Sequence, residues 1–171
     1  NILKCSDLAK ILLARRNREG SLQLEIGETQ LVLDELGEAV DIIRSERLFA
    51  HRLIEELMLL ANVQVAKFFH SREMDAIYRI HEPPKADNIS LLNRYLLAFG
   101  SDKTVAGENI QKKLTRVLES FEGKPQEEIL NILTLRSMNQ AVYSADNVGH
   151  FGLGFEFYTH FTSPIRRYPD L

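Results

Sequence analysis

Arg47–Phe69, reading RLFAHRLIEELMLLANVQVAKFF, decides how the chain folds. Leu53, Ile54, Leu57, Leu60, Ala61, Val65 and Phe68 recur at intervals of three and four, and Met58, Leu59 and Val63 widen the apolar belt. This is the spacing of an α-helix, and a helix apolar over most of its circumference belongs at the centre of its fold. Working outward, Asp7 to Arg18 reads as a helix with Ser6 or Asp7 as cap, Leu8, Ile11 and Leu12 as one face, and Gly20 as stop. Between these two helices, Leu22, Leu24 and Ile26, then Leu31 and Leu33, then Val40 and Ile42 alternate with polar residues across turns at Gly27-Glu28 and Glu35–Glu38. That predicts a small antiparallel meander. Pro83-Pro84 break the chain after the central helix. Asn88–Phe99, closed by Gly100, and Glu108–Phe121, ended by Gly123, are two further helices, and Pro125 opens another running to about Val142. The fold class is α+β, mostly helical.

At 171 residues, 44% of them hydrophobic and 26% charged, the chain is neither disordered nor collagen-like, and its length suits one domain or a large piece of one. Its 21 basic and 24 acidic residues give a net charge of −3, unlike a nucleic-acid binder that is basic as a whole. A single cysteine, Cys5, excludes an intramolecular disulfide and a four-thiolate zinc site, and reads as a small hydrophobe. The longest apolar run, Leu57–Ala61, is five residues against the ~18 needed to span a bilayer. With no signal-peptide arrangement in the first twenty residues, a cytoplasmic setting is expected. From Glu25 to Asp41 six acids occur without a Lys or Arg; alternating with apolar neighbours, they read as the solvent side of the hairpins rather than as a metal cluster.

The last 26 residues differ in kind. Asp146–Leu171 holds six of the fourteen aromatics, together with Gly149, Gly152, Gly154, His150, His160 and the pair Arg166-Arg167. Phe151, Leu153, Phe155 and Phe157 alternate, which predicts a strand whose glycines admit a backbone or ligand at close range. Thr162–Arg167 then reads as a helix start, with Ser163 as N-cap and Pro164 at the first position. Such an end exposes unpaired N–H groups, and two arginines there suit an external anion better than they suit the helix. A guanidinium clamps phosphate through two parallel bonds, and neighbouring Phe and Tyr rings can stack bases. The competing reading pairs Arg166 and Arg167 with Glu156 or Asp170 on the surface. His160 with Ser163 lacks a nucleophile elbow, and His150 with His160 lacks the second ligand pair a zinc site needs.

His150-Phe151-Gly152-Leu153, followed by Tyr158-Thr159-His160-Phe161-Thr162-Ser163-Pro164-Ile165-Arg166-Arg167-Tyr168-Pro169-Asp170-Leu171, resembles the signature of the ribonuclease II/ribonuclease R family. These are 3′-to-5′ exoribonucleases with an RNB-type catalytic domain. Leu53–Asn62 resembles that family's Glu-Glu-x-Met-x-x-Ala-Asn helix, and Tyr78–Pro84 its Arg-x-His-x-x-Pro turn. Among the branches, the Arg-Arg-Tyr-Pro-Asp form is most similar to bacterial ribonuclease R. The resemblance covers nearly the whole chain but only the later part of the catalytic domain, so residues 1–171 are expected to be a C-terminal portion of it, truncated at both ends.

The resemblance implies a parent that hydrolyses single-stranded RNA to nucleotides with Mg²⁺. The aspartate run that holds the metal in the family, and the flanking RNA-binding domains, have no counterpart in this sequence, so the fragment alone is expected to be inactive. Arg166 matches the catalytic arginine, with Arg167 the nearby alternative. Glu55 or Glu56 matches a glutamate that contacts the ribose, where a carboxylate accepts from the 2′-hydroxyl that DNA lacks. Helical geometry sets Glu55 and Asn62, seven apart, on one face and Glu56 elsewhere, which favours Glu55. His81, Arg79, Tyr158, His160 and Ser163 complete the candidate RNA contacts; His81 equally suits ordering a turn, and alternation buries Tyr158. Asn62 and Gln64 read as buried hydrogen-bonding groups. The rival function is a noncatalytic helical module that binds RNA or a protein partner.

Overall fold

A computed structural model of the chain describes residues 1–22, 24, 29–44 and 48–162. Among them are five helices and two two-stranded antiparallel sheets, which makes the fold α+β. In chain order these are α1 (Ile2–Glu19), β1 (Thr29–Leu33), β2 (Ala39–Arg44), α2 (Phe49–Ser71), β3 (Tyr78–Ile80), α3 (Ala86–Ala98), α4 (Ile110–Glu119), α5 (Glu127–Ser137) and β4 (Val142–Ser144).

The larger core lies among α3, α4 and α5. Ile89, Leu92 and Leu96 meet Leu114, Val117, Leu118 and Leu130, with Val105 and Phe121 filling the gaps between helices. α3 and α4 contribute residues at three- and four-residue intervals, so burying their apolar stripes fixes their rotation, and α5 adds Leu130 with the partly buried Leu133. A smaller cluster of Ala66, Tyr78 and Ile80, with Ala76 and Phe157 against it, joins α2 to β3.

Several expectations need correcting. α1 begins at Ile2, so Ser6 and Asp7 lie inside the helix. Its inner face is Cys5, Ala9, Leu12, Leu13 and Arg16, while Leu8 and Ile11 are exposed. Arg16 is the reason: its buried ion pair with α2, described below, sets the rotation. Secondly, α2 is the longest helix but not an all-round core element. Its buried stripe is Glu56, Leu59, Asn62 and Ala66, and Ile54 and Phe68 face outward, because the larger core is built by α3–α5 instead. Thirdly, α5 stops at Ser137 rather than near Val142. Met138 turns extended, Asn139 Nδ2 donates to the Pro83 carbonyl at 2.6 Å, and Val142 pairs with Ile80 in the β3–β4 sheet.

Finally, Phe151–Phe157 is not a strand. Gly154, at φ +72°, bends the chain back so that its N–H donates to the His150 carbonyl at 2.9 Å and the His150 N–H to the Phe155 carbonyl at 2.7 Å. The groups a ladder would use are divided between bonds inside the turn and single bonds to His81 and Leu22, so no ladder runs along the stretch. Of the meander, β1 and β2 form a hairpin, Leu31 opposite Ile42, across a turn in which Asp34 Oδ1 accepts from the Leu36 and Glu38 N–H groups at 2.9 Å each. Leu22 and Leu24 lie outside any strand, against the helical core, and the rest of the expected first strand falls outside the described residues.

Candidate functional site

The turn at Gly149–Phe155 is sewn to β3 through His81. The His81 N–H donates to the Gly149 carbonyl at 3.0 Å, and the Phe151 N–H to the His81 carbonyl at 2.8 Å. His81 is buried, and its Nδ1 accepts from the Gly152 N–H at 3.0 Å, so the neutral ring holds its proton on Nε2. A Cβ at Gly152 would lie 2.9 Å from that Nδ1, which is why the position needs glycine. The His150 ring stands edge-on to His81 at 5.0 Å. Burial pushes the pKa of His81 down, with the Arg79 charge adding to it. Burial first, and the charge of His81 second, push His150 down to about 4. Both imidazoles are therefore neutral at pH 7.

From Phe155 onward the chain crosses α2, β3 and β4. Tyr158 is buried, its ring stacked on Phe155 at 5.7 Å, and its hydroxyl accepts from Asn62 Nδ2 at 3.2 Å. The Arg79 N–H donates to the Tyr158 carbonyl at 2.8 Å, and Thr159 Oγ1 donates to the Ile77 carbonyl at 2.6 Å. The Arg79 guanidinium lies 4.6 Å over the Tyr143 ring, whose hydroxyl bonds His160 Nδ1 at 2.7 Å. Asn62, with no exposure, closes the crossing: its Oδ1 accepts from the N–H groups of both Phe161 and Thr162 at 3.0 Å.

This segment forms one wall of an open groove of about 1750 Å³, and Phe69, His70, Phe151, Phe155, Phe157 and Phe161 give it an aromatic lining. His70 and Phe157 stack at 4.2 Å. His81 and His160 also line it; Arg79, Tyr158, Glu55 and Glu56 are not among its lining residues. Glu56 is buried in an ion pair with Arg16, which donates through Nε at 3.0 Å and also through Nη2, while Nη1 donates to Ser21 Oγ at 2.9 Å. Glu55, one residue earlier, is half-buried outside that pair. Ser163, Arg166 and Arg167 lie outside the described residues. Among the described residues no group of three or more His, Cys, Asp or Glu could hold a metal ion, and no helix is long and apolar enough to cross a membrane.

Sequence reasoning missed Arg16 and Tyr143. Arg16 follows Ala9 and Leu12 at helical spacing, a signal that was present. Tyr143 had no local signal, because its partners come from sheet pairing.

The RNB-domain model matches residues 1–171, the full length of the sequence. The chain belongs to the RNB-domain family. An RNB relative, the Ribonuclease R of Aquifex aeolicus, is 42% identical over 164 residues, covering 96% of this chain and 23% of its own length. Curated RNB relatives named Ribonuclease R match at 37–43% identity, and the chain spans 20–25% of their length. Among solved RNB structures, Mycoplasma genitalium RNase R in complex with ribose methylated single-stranded RNA has a TM-score of 0.90 at 31% identity, covering 99% of this chain and 27% of that one. Yeast Ssd1, a pseudonuclease, has a TM-score of 0.63 at 26% identity, covering 73% of this chain and 16% of that one.

Proposed function

We propose that this chain is a C-terminal portion of the catalytic domain of a 3′-to-5′ exoribonuclease, whose parent hydrolyses single-stranded RNA to nucleotides. The observation that carries this reading is the aromatic lining of the groove. Phe161 and Thr162 are among its lining residues, and the next residues in sequence are Ser163 to Arg167. A groove lined by ring faces suits unpaired bases, and the guanidinium groups of Arg166 and Arg167, a few residues later in sequence, suit the phosphate being cut.

Arg166, with Arg167 beside it, stabilises charge developing on the non-bridging phosphate oxygens. Glu55 accepts from the ribose 2′-hydroxyl; Glu56 is less suited, since its carboxylate is already paired with Arg16. His81 and His160, neutral or engaged in hydrogen bonds, shape the groove wall, with Arg79 and Tyr158 packed near them; Ser163 stays a candidate RNA contact from the family resemblance. The Mg²⁺ that the family resemblance implies is expected to be held by aspartates of the parent outside this chain. This chain's own part is to hold RNA and meet the charge on phosphate.

The test is nucleotide release from the 3′ end of single-stranded RNA by the full-length parent, with and without Arg166→Ala. Turnover should fall far more than RNA affinity, and unchanged turnover removes the assigned role. The likeness to a pseudonuclease favours a second reading, a noncatalytic RNA-binding or protein-interaction module. A parent that binds single-stranded RNA and never shortens it, at any Mg²⁺ concentration, decides for that reading.

A further inference from the structure

We infer that Asn62 is a positioning residue, fixing Phe161 and Thr162, from which the sequence continues to Arg166, relative to the helix that carries Glu55; the inference rests on the exoribonuclease reading. Asn62 is fully buried in the middle of α2 and spends all of its described hydrogen bonds on one distant stretch of chain. Nδ2 donates to the Tyr158 hydroxyl, and Oδ1 takes the N–H groups of Phe161 and Thr162, partners 96, 99 and 100 residues away. Two consecutive amides converging on one oxygen fix the direction of the backbone as well as its position. The second of them precedes Ser163 by one residue and Arg166 by four.

The same helix relates this point to the candidate ribose contact. Glu55 and Asn62 are seven residues apart, so they share a face and lie ~10 Å apart along the axis at ~1.5 Å per residue. One rigid element thus holds the carboxylate at one level and the root of the arginine segment two turns further on. A group that acts through another's placement should affect turnover more than binding, because misplacement by ~1 Å can cost ~100-fold in rate. Asn93 provides the contrast. It also bonds a remote backbone, donating to the Val105 carbonyl at 2.7 Å and accepting from the Val105 N–H at 2.8 Å, but it does so within the helical core.

The experiment compares Asn62→Leu, Asn62→Asp and Asn93→Leu in the full-length parent, reading kcat and KM for 3′-end nucleotide release alongside thermal unfolding. Asn62→Leu should lose roughly 100-fold in kcat with KM within about threefold. Asn62→Asp keeps the oxygen that both amides need and should recover to within about tenfold of the wild type. Asn93→Leu should melt earlier and keep its kcat. If Asn62→Leu yields no folded protein, Asn62→Ser is read by the same split. An Asn62→Leu or Asn62→Ser variant with wild-type kcat, a loss confined to KM, an Asn62→Asp no better than Asn62→Leu, or an equal kcat loss in Asn93→Leu overturns the inference. A wild-type parent that releases no nucleotide refutes the exoribonuclease reading, and this inference with it.

Discussion

Removing one member of the Arg16–Glu56 pair separates fold from function at two adjacent carboxylates. Both side chains are nearly inaccessible, at 8% and 4% exposure, so solvent does little to screen what remains when a partner is lost. Glu56→Leu leaves a buried guanidinium with Ser21 Oγ as its other side-chain hydrogen-bond partner, and such an uncompensated charge costs ~3–5 kcal/mol. At ~2–4 °C per kcal/mol for a domain of this size, the melting temperature should fall by ~6–20 °C. Arg16→Met should cost about as much, since it strands the carboxylate instead. The double variant Arg16→Met/Glu56→Leu removes both charges and fills the space with apolar atoms, so it should be less destabilised than either single variant. Thermal unfolding of the four proteins completes the cycle. Nuclease assays on the double variant in the full-length parent should show turnover and a preference for RNA over DNA close to the wild type, because Glu56 is engaged with α1. Single variants within ~1 kcal/mol of the wild type, or a double variant whose loss equals their sum, would refute the energetic argument. A double variant that is folded but indifferent to the 2′-hydroxyl would return the ribose contact to Glu56.

Two further perturbations bear on the turn above the groove. His150 titrates at about 4 when folded against 6.5 unfolded, so between these values the unfolded chain binds a proton that the folded chain refuses. The melting temperature should therefore fall as pH drops from ~6.5 towards ~4 and change little from this source above pH 7; a slope in that window no different in His150→Gln would count against it. Gly152→Ala brings a methyl to 2.9 Å from His81 Nδ1 and 3.1 Å from its Cε1, and should cost ~1–3 kcal/mol through displacement of that ring. Differential scanning calorimetry checks it, and a melting temperature within 1 °C of the wild type, on the order of the measurement error, would contradict the crowding.

The helical layer was legible because each of α2, α3 and α4 carries its own period, and only the ends moved by about two residues. β3 and β4 were not, since three residues hold no readable alternation and Tyr78 finds its partner at Ser144, beyond three intervening helices. The aromatics at 151–157 alternate as a strand would, yet backbone bonding within the turn prevailed over side-chain pattern. The separation of Glu55 from Glu56 followed from helical geometry alone. That Glu56 is the paired one depends on the rotation of α1, and a sequence in which Leu8 and Ile11 look like the inner face conceals it. Asn62 was readable as a buried hydrogen-bonding group, while its partners, nearly a hundred residues downstream, were not.

That separation has a consequence for how the molecule is made. A ribosome adding ~5–20 residues per second needs ~5–20 s to travel from Asn62 to Phe161, 99 positions later. Every residue of the larger core, and each apolar neighbour packed against it, has been synthesised by Met138. A nascent chain halted between 139 and 160 thus contains the whole of that core and neither amide that Asn62 receives. The larger core can therefore become compact before the bonds from Asn62 that fix Phe161 and Thr162 can form.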